Sequence, residues 1–355
     1  MSRRGYLDWL RGAAVLLMIE AHTMDAWTLP ADRDGWPYRV AIIMGGFAAP
    51  AFLFLAGVAL ALAAASRERR GATLKEVAAT ARRRGWQIFG LAFLFRLQAF
   101  LISGGRFPQS LLKVDILNIM GLAMVMAGAA WALVLDRRAR AVSLLAASAA
   151  FVLMGPALSG ASWPGSLPEW LEMYLRSIRG RTSFSLFPWP AYLFVGAAIG
   201  SWLATADAAV ESRINRRLGQ FGLLLAAGGG LATLLPPFAG QPTPMAISPS
   251  VVCIRLGLVM LAVPIARAWH ARKELAWSPV REFGVASLFV YWVHVEMAYG
   301  RPSKALHRDL SFWEAAAATV ALMVALYGLV RLKPVVGSWL SALGSRRAQR
   351  LEPRA

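Results

Sequence analysis

The sequence predicts an all-α, polytopic integral membrane protein of about ten transmembrane helices with both termini in the cytoplasm. Three observations carry this. Of the 355 residues, 57% are hydrophobic and only 16% charged, too few charges to cover a soluble surface of this size. Apolar runs of about 20 residues, the length a helix needs to cross the hydrocarbon core, recur along the whole chain. The basic residues gather in short clusters between these runs.

The expected spans are 7–29, 39–65, 84–102, 114–135, 139–158, 187–206, 218–237, 250–269, 280–300 and 312–332. The first run is long and lacks a small-residue cleavage site, so it reads as a retained helix and not a signal peptide. On the sixth span Gly196 and Gly200 form a small-xxx-small face suited to helix packing. Ser278-Pro279 starts the ninth, with Pro at the first helical position. With the N-terminus inside, 25 of the 38 Lys and Arg residues fall in inner segments and 10 in outer ones. An even number of spans puts both termini on the same, cytoplasmic side. The outer segment 165–180 places Leu167, Trp170, Leu171, Tyr174, Leu175 and Ile178 on one helical face. That pattern suits a short helix on the membrane surface or one packed on the spans. No repeat or separate soluble region is visible, and residues 1–355 read as a single domain.

The net charge of +19 does not point to nucleic acid, because its clusters sit where they orient helices and touch anionic lipid. The single Cys253 excludes an intrachain disulfide. Walker and dinucleotide-binding loops, HExxH and cysteine clusters are absent. The two membrane histidines lack a third firm ligand, so no metal is expected.

Ionisable groups inside spans are costly and mark functional positions. His22 lies seven residues before the outer end of the first span, about 10 Å deep, and His294 six residues before that of the ninth, about 9 Å deep. Glu20, Asp25, Arg96, Asp115, Asn118, Arg255 and Glu296 fall in the same outer half. This concentration implies a polar site opening outward, with His22 and His294 in it. Asp25, three residues after His22 on the same helical face, is the candidate to fix the imidazole tautomer. Arg96 and Arg255 either bind substrate or neutralise Glu20, Asp115 or Glu296. His270 and His307 read as solvated loop residues. At the inner end, Asp8 and Arg11 at i,i+3 make either a local ion pair or, with Arg82, Arg83 and Arg84, an entrance for an anionic ligand.

These residues resemble a known family. "RGYLDWLRGAAVLLMIEAHTMDAW" followed by "GGFAAPAFLFLAGVALALAAASR" looks like the opening of the catalytic domain of heparan-α-glucosaminide N-acetyltransferase and its bacterial relatives, within the wider transmembrane acyltransferases. The matching positions are Arg4, Asp8, Arg11 and Gly12, then Met18, His22, Pro50, Phe52, Phe54 and Gly57. Where many bacterial relatives place Asp directly before the histidine, this chain has Ala21.

The resemblance implies a multi-pass enzyme of the inner (cytoplasmic) membrane. It would move an acyl group, acetyl above all, from cytoplasmic acyl-CoA to a sugar, glycolipid or other hydroxyl or amine acceptor in the outer half of the membrane. Acetyl-CoA or another acyl-CoA is then a co-substrate, with no tightly bound cofactor. Membrane lipids and a second copy in a homodimer are the other partners. His22 is the expected general base or transient acyl carrier. His294, Asn118 or Arg255 are the expected oxyanion donors, with Asp8, Arg11, Glu20, Arg96 and Asp115 binding substrate. The rival reading is a proton-coupled transporter or flippase, which broken helices or an inverted repeat would favour.

Overall fold

The computed structural model describes residues 4–103, 109–160, 167–176, 178, 182, 184–236, 245, 247–272 and 277–351. The outermost residues of both termini, and positions 165, 166, 177, 179 and 180 of the expected surface helix, lie outside this set. Helix makes up 83% of the structure, and no strand occurs among the described residues. In chain order the helices are α1 (Gly5–Trp27), α2 (Trp36–Gly45), α3 (Ala48–Glu68), α4 (Leu74–Ser103), α5 (Gln109–Leu112), α6 (Ile116–Leu133) and α7 (Arg137–Gly160). They continue with α8 (Glu169–Leu175), α9 (Pro190–Leu203), α10 (Ala208–Ala232), α11 (Pro249–Arg272), α12 (Pro279–Val285), α13 (Ser287–Tyr299) and α14 (Phe312–Leu351).

Six segments among the described residues are long and apolar enough to cross a membrane: Trp36–Glu68, Leu74–Ile102, Ile116–Leu133, Arg137–Leu158, Pro249–Arg272 and Phe312–Lys333. The protein is a multi-pass membrane protein. Each of the other four expected spans corresponds to helix of a different kind. α1 carries Asp8, Arg11, Glu20 and Asp25, α9 has 14 residues, and α10 opens with a charged stretch. The ninth is divided at Ala286 into α12 and α13.

The helices form two compact units, Met1–Gly46 with Leu275–Ala355, and Phe47–Glu274. In the first, α1 packs on α2, α12, α13 and α14. Its crossing with α12 is a backbone-to-backbone contact. A Cβ on Gly12 would lie 1.7 Å from the Val280 carbonyl oxygen, and one on Gly284 would lie 1.8 Å from that of Asp8. Only glycine at both positions lets the helices meet so closely. Ser278 caps α12 by accepting from the Arg281 N–H, with Pro279 behind it, as the sequence predicts. The C-terminal part of α1 is tied on two sides. Thr23 and Thr319 of α14 share a 2.7 Å hydroxyl–hydroxyl bond, and the Trp27 indole donates to the Ala298 carbonyl at 3.0 Å.

In the second unit, the small-residue face on α9 is a packing face. Cβ atoms on Gly196 and Gly200 would lie 2.0 Å and 2.7 Å from the carbonyl oxygens of Phe54 and Val58 on α3. Within the expected surface helix 165–180, α8 covers Glu169–Leu175. The Tyr174 ring lies 6.2 Å from that of Phe89 on α4, and the Tyr174 carbonyl accepts from the Leu186 N–H at 2.7 Å. Burial pushes the Tyr174 phenol up to about 12. Trp170 keeps half its surface exposed while Met173 is buried. His270, expected in a loop, lies in the last turn of α11.

Candidate functional site

The centre of the first unit is a pair of histidines. His22 on α1 and His294 on α13 are 272 residues apart in sequence, and their Nδ1 and Nε2 atoms lie 2.8 Å apart. The rings are nearly coplanar, 2° apart with centroids at 5.1 Å, so they meet edge to edge through an in-plane hydrogen bond. His294 is completely buried. Its Nδ1 sits 2.9 Å from the Val290 carbonyl oxygen one turn earlier. That geometry assigns the protons. A carbonyl only accepts, so His294 Nδ1 carries hydrogen. In the neutral ring Nε2 is then the acceptor, and the proton between the rings belongs to His22 Nδ1. His22 is left with Nε2 as its basic nitrogen. Both nitrogens of His294 are occupied, which leaves it no hydrogen to give an oxyanion.

The partner of the His22 Nδ1 is therefore His294, the role the sequence suggests for Asp25. The Asp25 carboxylate instead accepts from the Tyr299 hydroxyl at 2.9 Å and lies 3.7 Å from the Arg33 guanidinium. The Tyr299 ring also stands edge-on to His22, with centroids 5.6 Å apart.

Glu20 and Glu296 flank the histidines on the opposite faces of α1 and α13, two residues from each. Glu20 Oε2 and Glu296 Oε1 are buried, with no hydrogen-bond partner among the described residues. Glu20 turns toward α2, where the absent side chain of Gly45 gives it room. At the other end of α1, Asp8 and Arg11 form the local pair at 3.3 Å. At 1.5 Å per residue Arg11 lies about 16 Å along the helix from His22.

The remaining candidates belong to the second unit. Arg96 on α4 donates to Asp115 at 2.7 Å, so of the carboxylates available to it this arginine takes Asp115. Asn118 accepts from the Asp115 backbone N–H at 2.9 Å, half of a capping box that starts α6. These two residues have a helix-starting role that the sequence reading assigned to substrate. Arg255 on α11 approaches the buried hydroxyl of Tyr192 on α9.

Sequence reasoning passed over Tyr299, Arg33, Thr23 and Thr319. Tyr299 and Arg33 had a legible signal, as an aromatic closing the His294 helix and a cation shortly after the His22 helix. The threonine contact had none.

Fold and site together define a multi-pass helical membrane protein with a hydrogen-bonded imidazole pair set among its helices. The chain belongs to the family described as heparan-alpha-glucosaminide N-acetyltransferase, catalytic, whose model matches residues 3–229. Membership makes it a transferase. No curated protein matches the chain. The matched segment runs from ahead of α1 into α10, so it includes His22 and Asp25 and stops before His294 and Tyr299.

Proposed function

We propose that this protein is a membrane-embedded acyltransferase that moves an acetyl or similar acyl group from cytoplasmic acyl-CoA to a hydroxyl or amine acceptor in the outer half of the membrane. The observation that carries the reading is the one-way hydrogen-bond chain from His22 Nδ1–H to His294 and from His294 Nδ1–H to Val290. It orients His22 Nε2 as a base inside a family of transferases.

In the reaction, His22 Nε2 takes the proton of the acceptor O–H or N–H as that oxygen or nitrogen attacks the thioester carbonyl. The C–O or C–N bond forms, the C–S bond breaks, and the imidazolium returns its proton to the departing thiolate. The His22–His294 bond is strongest while His22 carries charge, because a cationic donor strengthens a hydrogen bond. His294 thus favours the transition state over the ground state, which is what raises kcat. It is a positioning residue and not an oxyanion donor. Arg11, about 16 Å from His22 along the same helix and paired with Asp8, would meet the CoA phosphates while the thin pantetheine arm reaches His22.

The break between α12 and α13 favours a transporter. Its ladder, however, is kept: Ala286 N–H bonds to Glu282 and Val290 N–H to Ala286, both at 3.0 Å. The Glu282 and Ala286 carbonyls at the break are therefore taken by backbone N–H groups and not open to an ion.

Purified protein in nanodiscs, supplied with radiolabelled acetyl-CoA, separates the readings. Transfer or hydrolysis of the acetyl group supports the enzyme. Loss of the enzyme reading follows if acetyl-CoA stays intact while reconstituted vesicles move a solute.

A further inference from the structure

Three arginines lie within the expected spans, and two of them have a carboxylate. Arg11 pairs with Asp8 at 3.3 Å and Arg96 with Asp115 at 2.7 Å. Arg255 on α11 pairs with no carboxylate among the described residues, and the polar group beside it is the Tyr192 hydroxyl of α9. Tyr192 is 1% exposed, while Arg255 is only half-buried. The guanidinium stands beside the phenol without the geometry of a hydrogen bond, and the Tyr192 hydroxyl has no partner among the described residues. A guanidinium in hydrocarbon is costly without a counter-charge, and a buried hydroxyl is costly without a partner. One anion would answer both.

The pair sits close to one end of its helices. Tyr192 is the third residue of α9, and Arg255 lies six residues beyond Pro249, about 9 Å along α11. The starts of these two helices meet the end of α7. A Cβ on Gly155 of α7 would lie 3.5 Å from the Ile247 carbonyl oxygen, just ahead of α11, and 3.9 Å from the Phe187 carbonyl carbon, just ahead of α9. The Phe151 ring of α7 stacks on Phe187 with centroids 4.8 Å apart. Helical side chains lean toward the helix N-terminus, so Arg255 reaches back toward this end, where the headgroups of a bilayer lie. Leu153 and Met154, exposed beside Gly155, add apolar surface at the same end of α7.

We propose that Arg255 and Tyr192 form a binding site for the phosphate of an anionic membrane lipid seated at the starts of α9 and α11. The half-buried guanidinium meets the phosphate, with two parallel N–H donors for its oxygens. Tyr192, behind it, adds an O–H to the same anion. With no carboxylate paired to Arg255, nothing at the site favours the ammonium or choline of a zwitterionic headgroup. The ligand class is a phosphodiester lipid with a net negative, cation-free headgroup, of which phosphatidylglycerol is the simplest probe.

The test reads binding, so its outcome is separate from the acyl-transfer reading. Full-length protein in a neutral detergent is titrated with phosphatidylglycerol, phosphatidylcholine or inorganic phosphate. Bound lipid is counted by native mass spectrometry and melting profiles are recorded alongside. Wild type is expected to hold phosphatidylglycerol about tenfold or more tightly than phosphatidylcholine, the scale of one hydrogen bond to a charged group. Its melting temperature should rise with the phosphatidylglycerol concentration. Arg255→Gln should bring the ratio near one. Tyr192→Phe should weaken phosphatidylglycerol binding by about threefold and leave phosphatidylcholine unmoved. Arg138→Gln, an exposed control, should change neither. If Arg255→Gln does not fold, Arg255→Lys keeps the charge without the planar fork and should lower the ratio partway. A wild-type ratio near one, or a ratio that survives the Arg255 substitutions, overturns the site. An equal loss in Arg138→Gln also overturns it, because the preference then follows overall charge. Stabilisation by inorganic phosphate equal to that by phosphatidylglycerol overturns the lipid as occupant and gives the site to a free anion.

Discussion

His294 offers the most discriminating substitutions, because its two hydrogen bonds can be removed separately from its volume. Glutamine carries an amide oxygen near the position of Nε2 and can still accept from His22 Nδ1–H, now 2.8 Å away. Leucine fills similar space and accepts nothing. Both lose the bond to Val290, but that carbonyl lies within helix α13. The difference between the variants is thus one hydrogen bond to a group that turns cationic during the reaction. Such a bond is worth about 1.5–3 kcal/mol, or roughly 10- to 150-fold in rate. His294→Gln is expected to stay within about tenfold of wild-type kcat, and His294→Leu to fall by about 10²-fold. KM for acyl-CoA should not move, since the lost interaction belongs to the transition state. The assay is steady-state acetyl transfer by purified protein, with melting profiles matched across the series. Equal kcat for the glutamine and leucine variants refutes the positioning role, and a parallel loss of thermal stability and activity assigns His294 to packing.

Three other outcomes follow from the same geometry. Arg11→Ala should raise KM for acyl-CoA with kcat little changed, and the difference should shrink in high salt as exposed charges are screened; an unmoved KM returns Arg11 to its local pair with Asp8. Gly284→Ala places a methyl 1.8 Å from the Asp8 carbonyl oxygen and should cost at least about 1–3 kcal/mol in thermal stability, whereas Gly71→Ser, beside open space, should lose only the small strain of its positive φ. For the topology, single cysteines at Glu169 and Arg70 in a Cys253→Ala background should react oppositely with an impermeant reagent on intact cells. Labelling at Arg70 from outside reverses the orientation inferred from the basic residues.

That His22 and His294 lie at one level was legible in the sequence, and that they are direct partners was not. Counting residues from the span ends puts His22 and His294 at the same level because helix rise is fixed at 1.5 Å per residue. The structure joins the two rings. Asp25 looked like the partner of His22 because an i,i+3 neighbour is visible in one dimension, while a partner 272 residues away is not. The packing role of Gly196 and the cap at Ser278 were legible because each is written locally, in a spacing or a dipeptide. At Asp115 and Asn118 the capping box was not read from the sequence. Polar groups at the start of a span read equally as substrate ligands or as a capping box, and only the backbone geometry distinguishes them. The division of the ninth span had a faint signal in Gly284. That residue sits two positions before the break at Ala286 and meets Asp8 and Gly12, which lie far away in the chain.

The most direct measurement is the rate of acetyl transfer by purified His22→Ala beside wild type, at equal melting temperature and saturating acetyl-CoA. If His22 Nε2 is the base that His294 orients, the substitution lowers kcat by about 10² or more, the contribution of a positioned general base. The residual rate should also lose its sensitivity to His294→Leu, because that residue acts only through His22. A His22→Ala enzyme that transfers at near wild-type rate, or one whose activity still falls further when His294 is replaced, contradicts this mechanism.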